Sequence, residues 1–328
     1  MDSPSRSLFW TGFVLAGLGA VLFSAKAVVA KLLYRYGVDA LDVIGFRMLL
    51  AFPFFAVIAW TQALRARRGL IQRLGWRDGL RITVLGFIGY YLSSFLDFLG
   101  LQYVTAGLER LILFLAPTFV LLISAWFLRK PIALRQWVAM ALAYGGVALV
   151  FWGDLSASGD HVVLGAGFVL AAAFSYALYL IGSGELVERV TATRLTAYAM
   201  TVSTLVTMVH FFIVKGWAGL DQSWPVYGLS MIHATVNTVL PTFMIMWSVA
   251  RIGAPLTAQL GLLGPVSILF LAWLFLGEPI TTLQVAGTVL VAIAAVILGR
   301  RKSVPVVRMP SPAGSEAGSV RMPDGTVR

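Results

Sequence analysis

Five ionisable side chains, Lys26, Arg47, Asp97, Glu109 and Arg110, sit well inside apolar runs whose other charges, Asp42, Arg81 and Arg135, lie within three residues of a run's end. A charge placed in hydrocarbon is costly, so it faces a partner or a water-filled cavity and marks a candidate site by default. Counted along an α-helix at ~1.5 Å per residue, Arg47 lies roughly 9 Å below the near end of its run. Asp97 and Glu109 lie about one turn from the same boundary. Two chemistries fit: binding or gating a charged solute, or a structural ion pair of Arg47 with Asp97 or Glu109. Lys26 is shallow enough to be expected to snorkel to the interface. Glu109 and Arg110 are about 100° apart on a helix, so they point different ways. Either carboxylate is a candidate for proton coupling.

Uncharged polar side chains recur at helical spacing in the same kind of run. Tyr90, Ser94 and Asp97 share one face at i, i+4 and i+7; Tyr176, Tyr179 and Ser183 do so at i, i+3 and i+7. His233 and Asn237 follow at i and i+4, before Pro241. A polar stripe on an apolar helix turns toward protein or water, not lipid. Lining a cavity and hydrogen bonding between helices both satisfy that requirement. His233 titrates near neutrality in water and is a candidate proton carrier, or a satisfied hydrogen-bonding residue. His210 has no polar neighbour at helical spacing and is not a candidate. Pro117 and Pro265 fall inside apolar runs, where proline frees a carbonyl and bends the helix, so both are candidate hinges.

The elements that position these residues follow from composition. The 328 residues are 59% hydrophobic and only 12% charged, with a mean hydropathy of +0.87. Those values define a membrane protein. Runs of about 20 residues, enough for ~30 Å of hydrocarbon, number ten: 8–30, 41–61, 80–101, 105–127, 133–152, 162–183, 195–214, 228–249, 255–276 and 281–299. The first run reads as a retained helix and not a cleaved signal, since no small-residue cleavage pattern follows it. With no cysteine and only three histidines, there is no thiolate chemistry or metal-ligand cluster to argue for. Hydrolase, metalloprotease and phosphate-loop motifs are missing too, so neither an enzyme nor a cofactor is expected.

A net charge of +11 is compatible with a nucleic-acid partner, but its placement argues against one. Lys and Arg total 19 on one alternate set of connecting segments and 3 on the other. By the positive-inside rule both termini are cytoplasmic, in a plasma membrane of bacterial inner-membrane type. Residues 300–328 are rich in Pro, Ser, Gly and Arg and read as a disordered basic tail.

A repeat organises the helices. Residues 106–150 align without a gap on 254–298 at an offset of 148, which pairs Pro117 with Pro265, Pro131 with Pro279 and Gln136 with Gln284. Arg129-Lys130 becomes Gly277-Glu278. Five spans per half place the second half upside down relative to the first, which accounts for the reversed charge. The fold class is therefore an all-α membrane protein of ten transmembrane helices in two inverted five-helix repeats, 9–152 and 162–299, after a cytoplasmic N-terminus at 1–8.

LERLILFLAPTFVLL at 108–122, the Lys130-Pro131 and Glu278-Pro279 hairpins and the two five-helix halves resemble the drug/metabolite transporter superfamily with paired EamA-type domains. The resemblance implies a central cavity between the halves and movement of small metabolites by alternating access. The first hairpin departs from it, with Arg129-Lys130 where an acidic residue often precedes the proline. The expected function is a secondary transporter of a small polar metabolite, amino-acid-like or an organic anion, because the intramembrane charges sum to +1. The expected partners are that solute, the lipid bilayer and coupled protons, with the chain a monomer or homodimer. The alternative is a non-transporting receptor or assembly partner built on the same bundle.

Overall fold

The computed structural model describes residues 3–127, 132–158 and 161–299, and these are helical almost throughout. Eight helices have the length and apolarity to cross a membrane. They are α1 (Leu8–Tyr34), α2 (Ala40–Arg67), α3 (Trp76–Leu101), α4 (Ala106–Trp126), α5 (Leu134–Ser156), α6 (His161–Gly184), α7 (Ala192–Lys215) and α8 (Trp224–Ile252). A ninth, α9, is built from Ala254–Leu260 and Leu263–Leu276, and α10 is the short apolar helix Thr282–Leu298. The ten apolar runs are thus ten helices, several longer than hydropathy alone marks them. The Arg129-Lys130-Pro131 hairpin and the basic tail lie outside the described residues.

Local chemistry sets the helix ends. Asp39 caps α2, accepting from the Leu41 and Asp42 backbone N–H groups while Asp42 accepts from Asp39 N–H, a complete capping box. Lys215 at the end of α7 closes on the same pair, 2.7 Å from Asp39 and 3.1 Å from Asp42. Thr105 caps α4 through Leu108 N–H, and Asp154 of α5 accepts from both the Thr105 hydroxyl and N–H. The capping contacts satisfy backbone donors that a helix start leaves open, and Lys215 balances the charge of the Asp39–Asp42 cap.

The halves interleave. Helix α1 packs on α8 and α3 on α6, while α2 packs on α7, α4 on α9 and α5 on α10. Exchanging each helix for its image five places along the chain reproduces this set of pairs. Irregularities obey the same symmetry. Helices α3 and α8 each pass through a π-helical stretch, Phe87–Leu92 and Thr235–Val239, at the 148-residue offset. Helices α4 and α9 are each interrupted just before Pro117 and Pro265, at Phe114–Leu115 and Gly261–Leu262. Only α1 departs from its partner: it is broken at Ala25, whereas α6 runs unbroken.

Candidate functional site

The candidate site adjoins a one-residue interruption in α1, where Ala25 keeps helical dihedrals and its N–H and C=O stay bonded to Val21 and Val29. At Ala25 the helix is relieved for one residue, and the Leu22 carbonyl accepts from Asn237 Nδ2 of α8 at 2.7 Å. A backbone group freed inside a bundle is satisfied here by a side chain from the other half. On α6 the relation is reversed: Ser175 Oγ donates to the Ile88 carbonyl in the π-helical stretch of α3, at 2.7 Å.

Lys26 is the first residue after the break. It does not snorkel: it is 7% exposed, with Nζ 2.5 Å from Asp97 Oδ2 and 3.3 Å from Glu109 Oε1. Two carboxylates, from α3 and α4, stabilise the ammonium better inside the bundle than a stretch to the interface would. The approach to Glu109 meets ion-pair distance but not hydrogen-bond geometry, so both Glu109 oxygens and Asp97 Oδ1 have no hydrogen-bond partner among the described residues. The expected pairing of Arg47 with a carboxylate is displaced as a result. Arg47 instead donates to Ser94 Oγ at 3.0 Å and lies over the Phe98 ring at 4.9 Å.

Arg110 points away from Glu109, into a slot between Phe23 and Phe114, with its guanidinium carbon 5.5 and 5.4 Å from their centroids. The slot exists because position 264 is glycine. A Cβ there would stand 2.7 Å from Arg110 Nη2 and 2.8 Å from Ser24 Oγ. Gly264→Ala should leave the fold intact, since the atoms in the way are side-chain tips, but push Arg110 aside at about 1–3 kcal/mol. Transport by the purified protein in vesicles should fall by about tenfold with little change in melting temperature.

The structure gathers the other candidates unevenly. Tyr90 meets Tyr179 of α6, hydroxyl to hydroxyl at 3.2 Å, and Tyr176 stacks on Tyr179 with centroids 5.7 Å apart. Ser183 turns back on its own helix, donating to the Leu180 carbonyl. The three polar groups of the α3 stripe therefore reach three different helices: α6, α2 and α1. His233 is fully buried edge-on against Phe98 at 5.4 Å, and neither ring nitrogen has a hydrogen-bond partner among the described residues. Asn237 turns to α1, not toward the α3 stripe. His210, not a candidate from its own helix, pairs with Tyr91 of α3 at 2.8 Å. Pro117 and Pro265 follow the matched interruptions in α4 and α9.

Phe98, unmarked by hydropathy, is the hub of the cluster. Its ring is within 5.6 Å of Lys26 Nζ and also faces Arg47 and His233. Roughly 6 Å from Asp97 along α3, by helical rise, lies the floor of an open cavity of about 320 Å³ lined by Lys31, Tyr34, Arg35, Leu101, Gln102 and Glu278. Glu278 closes one side of it. It pairs with Lys31 at 2.7 Å and accepts from Ala106 N–H at 3.1 Å, while Arg35 donates to the Leu276 carbonyl. Composition of the α9–α10 hairpin made Glu278 visible as a charge; its partners come from α1 and α4.

An interleaved ten-helix bundle with charged groups buried among its helices, and an open cavity at one end of α1 and α3, fits a membrane carrier. The profile of the EamA-like transporter family matches this chain twice, at residues 10–152 and 163–300, and the chain belongs to that family. Among its relatives, an uncharacterised transporter of Bacillus subtilis, YcbK, is 32% identical over 84% of this chain and 88% of its own length. A probable terminal-alkyne amino-acid exporter of Streptantibioticus cattleyicolor is 29% identical over 82% of this chain and 88% of that one. A solved crystal structure shares the fold at 16% identity, with a TM-score of 0.55 over 89% of this chain and 96% of its own. The protein is an integral membrane transporter whose partners are a small-molecule solute and the bilayer.

Proposed function

We propose that the protein carries a small polar metabolite, amino-acid-like or an organic anion, by alternating access between its two inverted halves. One observation carries this reading. Three buried cations, Lys26, Arg47 and Arg110, surround two buried carboxylates, Asp97 and Glu109, where α1 to α4 meet α8 and α9. The surplus positive charge and the unpartnered carboxylate, guanidinium and imidazole atoms call for a ligand bearing an acidic group and polar hydrogens. The amino-acid exporter among the relatives agrees with that chemistry.

The arginine-rich end, with Arg65, Arg67, Arg68, Arg73, Arg77 and Arg81 all exposed, is assigned to the cytoplasm of an inner membrane, and the cavity at Lys31 and Glu278 to the outside. Alternating access then requires that the Lys31–Glu278 and Arg35–Leu276 links part and re-form as the matched interruptions before Pro117 and Pro265 flex.

Reconstituted vesicles loaded with a panel of amino acids and organic acids, with and without a pH gradient, test the reading and report proton coupling. Arg47→Ala removes a charged hydrogen bond of about 1.5–3 kcal/mol, so transport should drop about tenfold to a hundredfold at unchanged protein level. Unaltered rates in both Arg47→Ala and Asp97→Asn would show that the solute binds elsewhere.

A further inference from the structure

We propose that Lys26 is a built-in cation: its ammonium fills the place that a solute's amine takes against Asp97 and Glu109, and so bars organic cations that lack an acidic group. This rests on reading the charged cluster as the solute site. The place is made for an ammonium from any source. Phe98 and Phe23 present their rings 5.6 and 5.8 Å from Nζ, and the two carboxylates offer more acceptor positions than one ammonium uses, leaving Asp97 Oδ1 without a partner. Lys26 also carries the longest flexible stem available to an amine, attached immediately beyond the Ala25 break that Asn237 splices from the opposite half.

Charge decides what can enter. Arg47, Arg110, Asp97 and Glu109 alone are balanced; with Lys26 the buried set is +1. A monoamine entering beside Lys26 would raise it to +2, a zwitterion leaves it at +1, and an anion lowers it to zero. Excess buried charge of one sign is what a low-dielectric site rejects most strongly. A zwitterion can displace Lys26 from Asp97 with its own ammonium while its carboxylate receives the freed Nζ or Arg47. A plain amine has nothing to offer the displaced lysine.

The test is binding of n-butylammonium chloride to purified protein, read as a saturable rise in melting temperature over the same ionic strength of sodium chloride. Wild type should show none. Lys26→Ala, which vacates the place and leaves the buried set neutral, should gain a saturable response; Lys26→Ala/Glu109→Gln, whose set keeps the wild type's +1 but with the place vacated, should gain a weaker one, because Asp97 still seeks a cation. Glu109→Gln alone, with Lys26 in place, should gain nothing. Either Lys26 variant folded but silent to the amine would overturn the proposal. Failure of both to fold, even with n-butylammonium present throughout purification, would do the same by making Lys26 a purely structural ion-pair partner. The readout needs no transport: an amine response without carriage of any solute would refute the function proposed above while sparing the role of Lys26.

Discussion

Asp97→Asn should abolish transport, by at least about a hundredfold, in vesicles that contain the protein at near wild-type level. The carboxylate is 3% exposed and holds Lys26 at 2.5 Å, and its field also reaches Arg47 at the neighbouring Ser94. Removing one member of a buried pair leaves the other uncompensated at about 3–5 kcal/mol, and each 1.4 kcal/mol is about a factor of ten in affinity. Part of that cost is recoverable. Glu109 stands 3.3 Å from the same ammonium and can take Lys26 over, so stability should fall less than activity does. The predicted signature is therefore a split: a modest drop in melting temperature, and a loss of solute binding far larger than that drop explains. Equal losses of both would make Asp97 a structural residue. Glu109→Gln should do less than Asp97→Asn, since its oxygens make no hydrogen bond among the described residues.

The ten runs, the repeat and the five clustered charges were all legible in the sequence, because each is a one-dimensional signal: length, offset, or a charge in an apolar context; the buried Asp42, Asp154 and Arg194 sit at or beyond the ends of the runs and were not. What failed was direction around the helix axis. Counting residues from the ends of a run gives depth, and by depth Lys26 could snorkel. Its actual partners depend on which way α1 faces beyond Ala25, and that break carries no proline or glycine to announce it. It is stabilised by Asn237, more than two hundred residues away. The stripe at Tyr90, Ser94 and Asp97 shows the same limit. Its spacing assumes a regular α-helix, but Phe87–Leu92 is π-helical, and the three side chains diverge to three neighbours. Phe98 was invisible for a different reason: a phenylalanine in a membrane helix is unremarkable until cations are found against its faces. Glu278 was read as a topological sign, and becomes a cap for α4 only when the hairpin is folded over Ala106.

The crossing of α5 and α10 makes the inverted arrangement concrete and carries the second large prediction. Gly146 and Gly287 meet backbone to backbone, so that a Cβ on either would lie 2.6 or 2.5 Å from the other's carbonyl oxygen. Their images at the 148-residue offset are Ala294 and Ala139, buried together in one apolar cluster. Sequence number rises from 139 to 146 on one helix as it falls from 294 to 287 on the other, as an antiparallel two-fold pair requires. In a bilayer such close approach, and not hydrophobic burial, supplies much of the adhesion between helices. Gly287→Leu should therefore prevent accumulation of folded protein, and Gly287→Ala should already lower the melting temperature, because the obstructing atom is a backbone oxygen that cannot rotate away. Gly145→Ala is the matched control. Its neighbourhood is open, with nothing within 4 Å of an added Cβ, so the ~0.5–1 kcal/mol that alanine gains over glycine inside a helix should appear as equal or higher stability. If Gly145→Ala and Gly287→Ala moved the melting temperature alike, helix propensity alone would be at work and the halves would not be held together at this crossing.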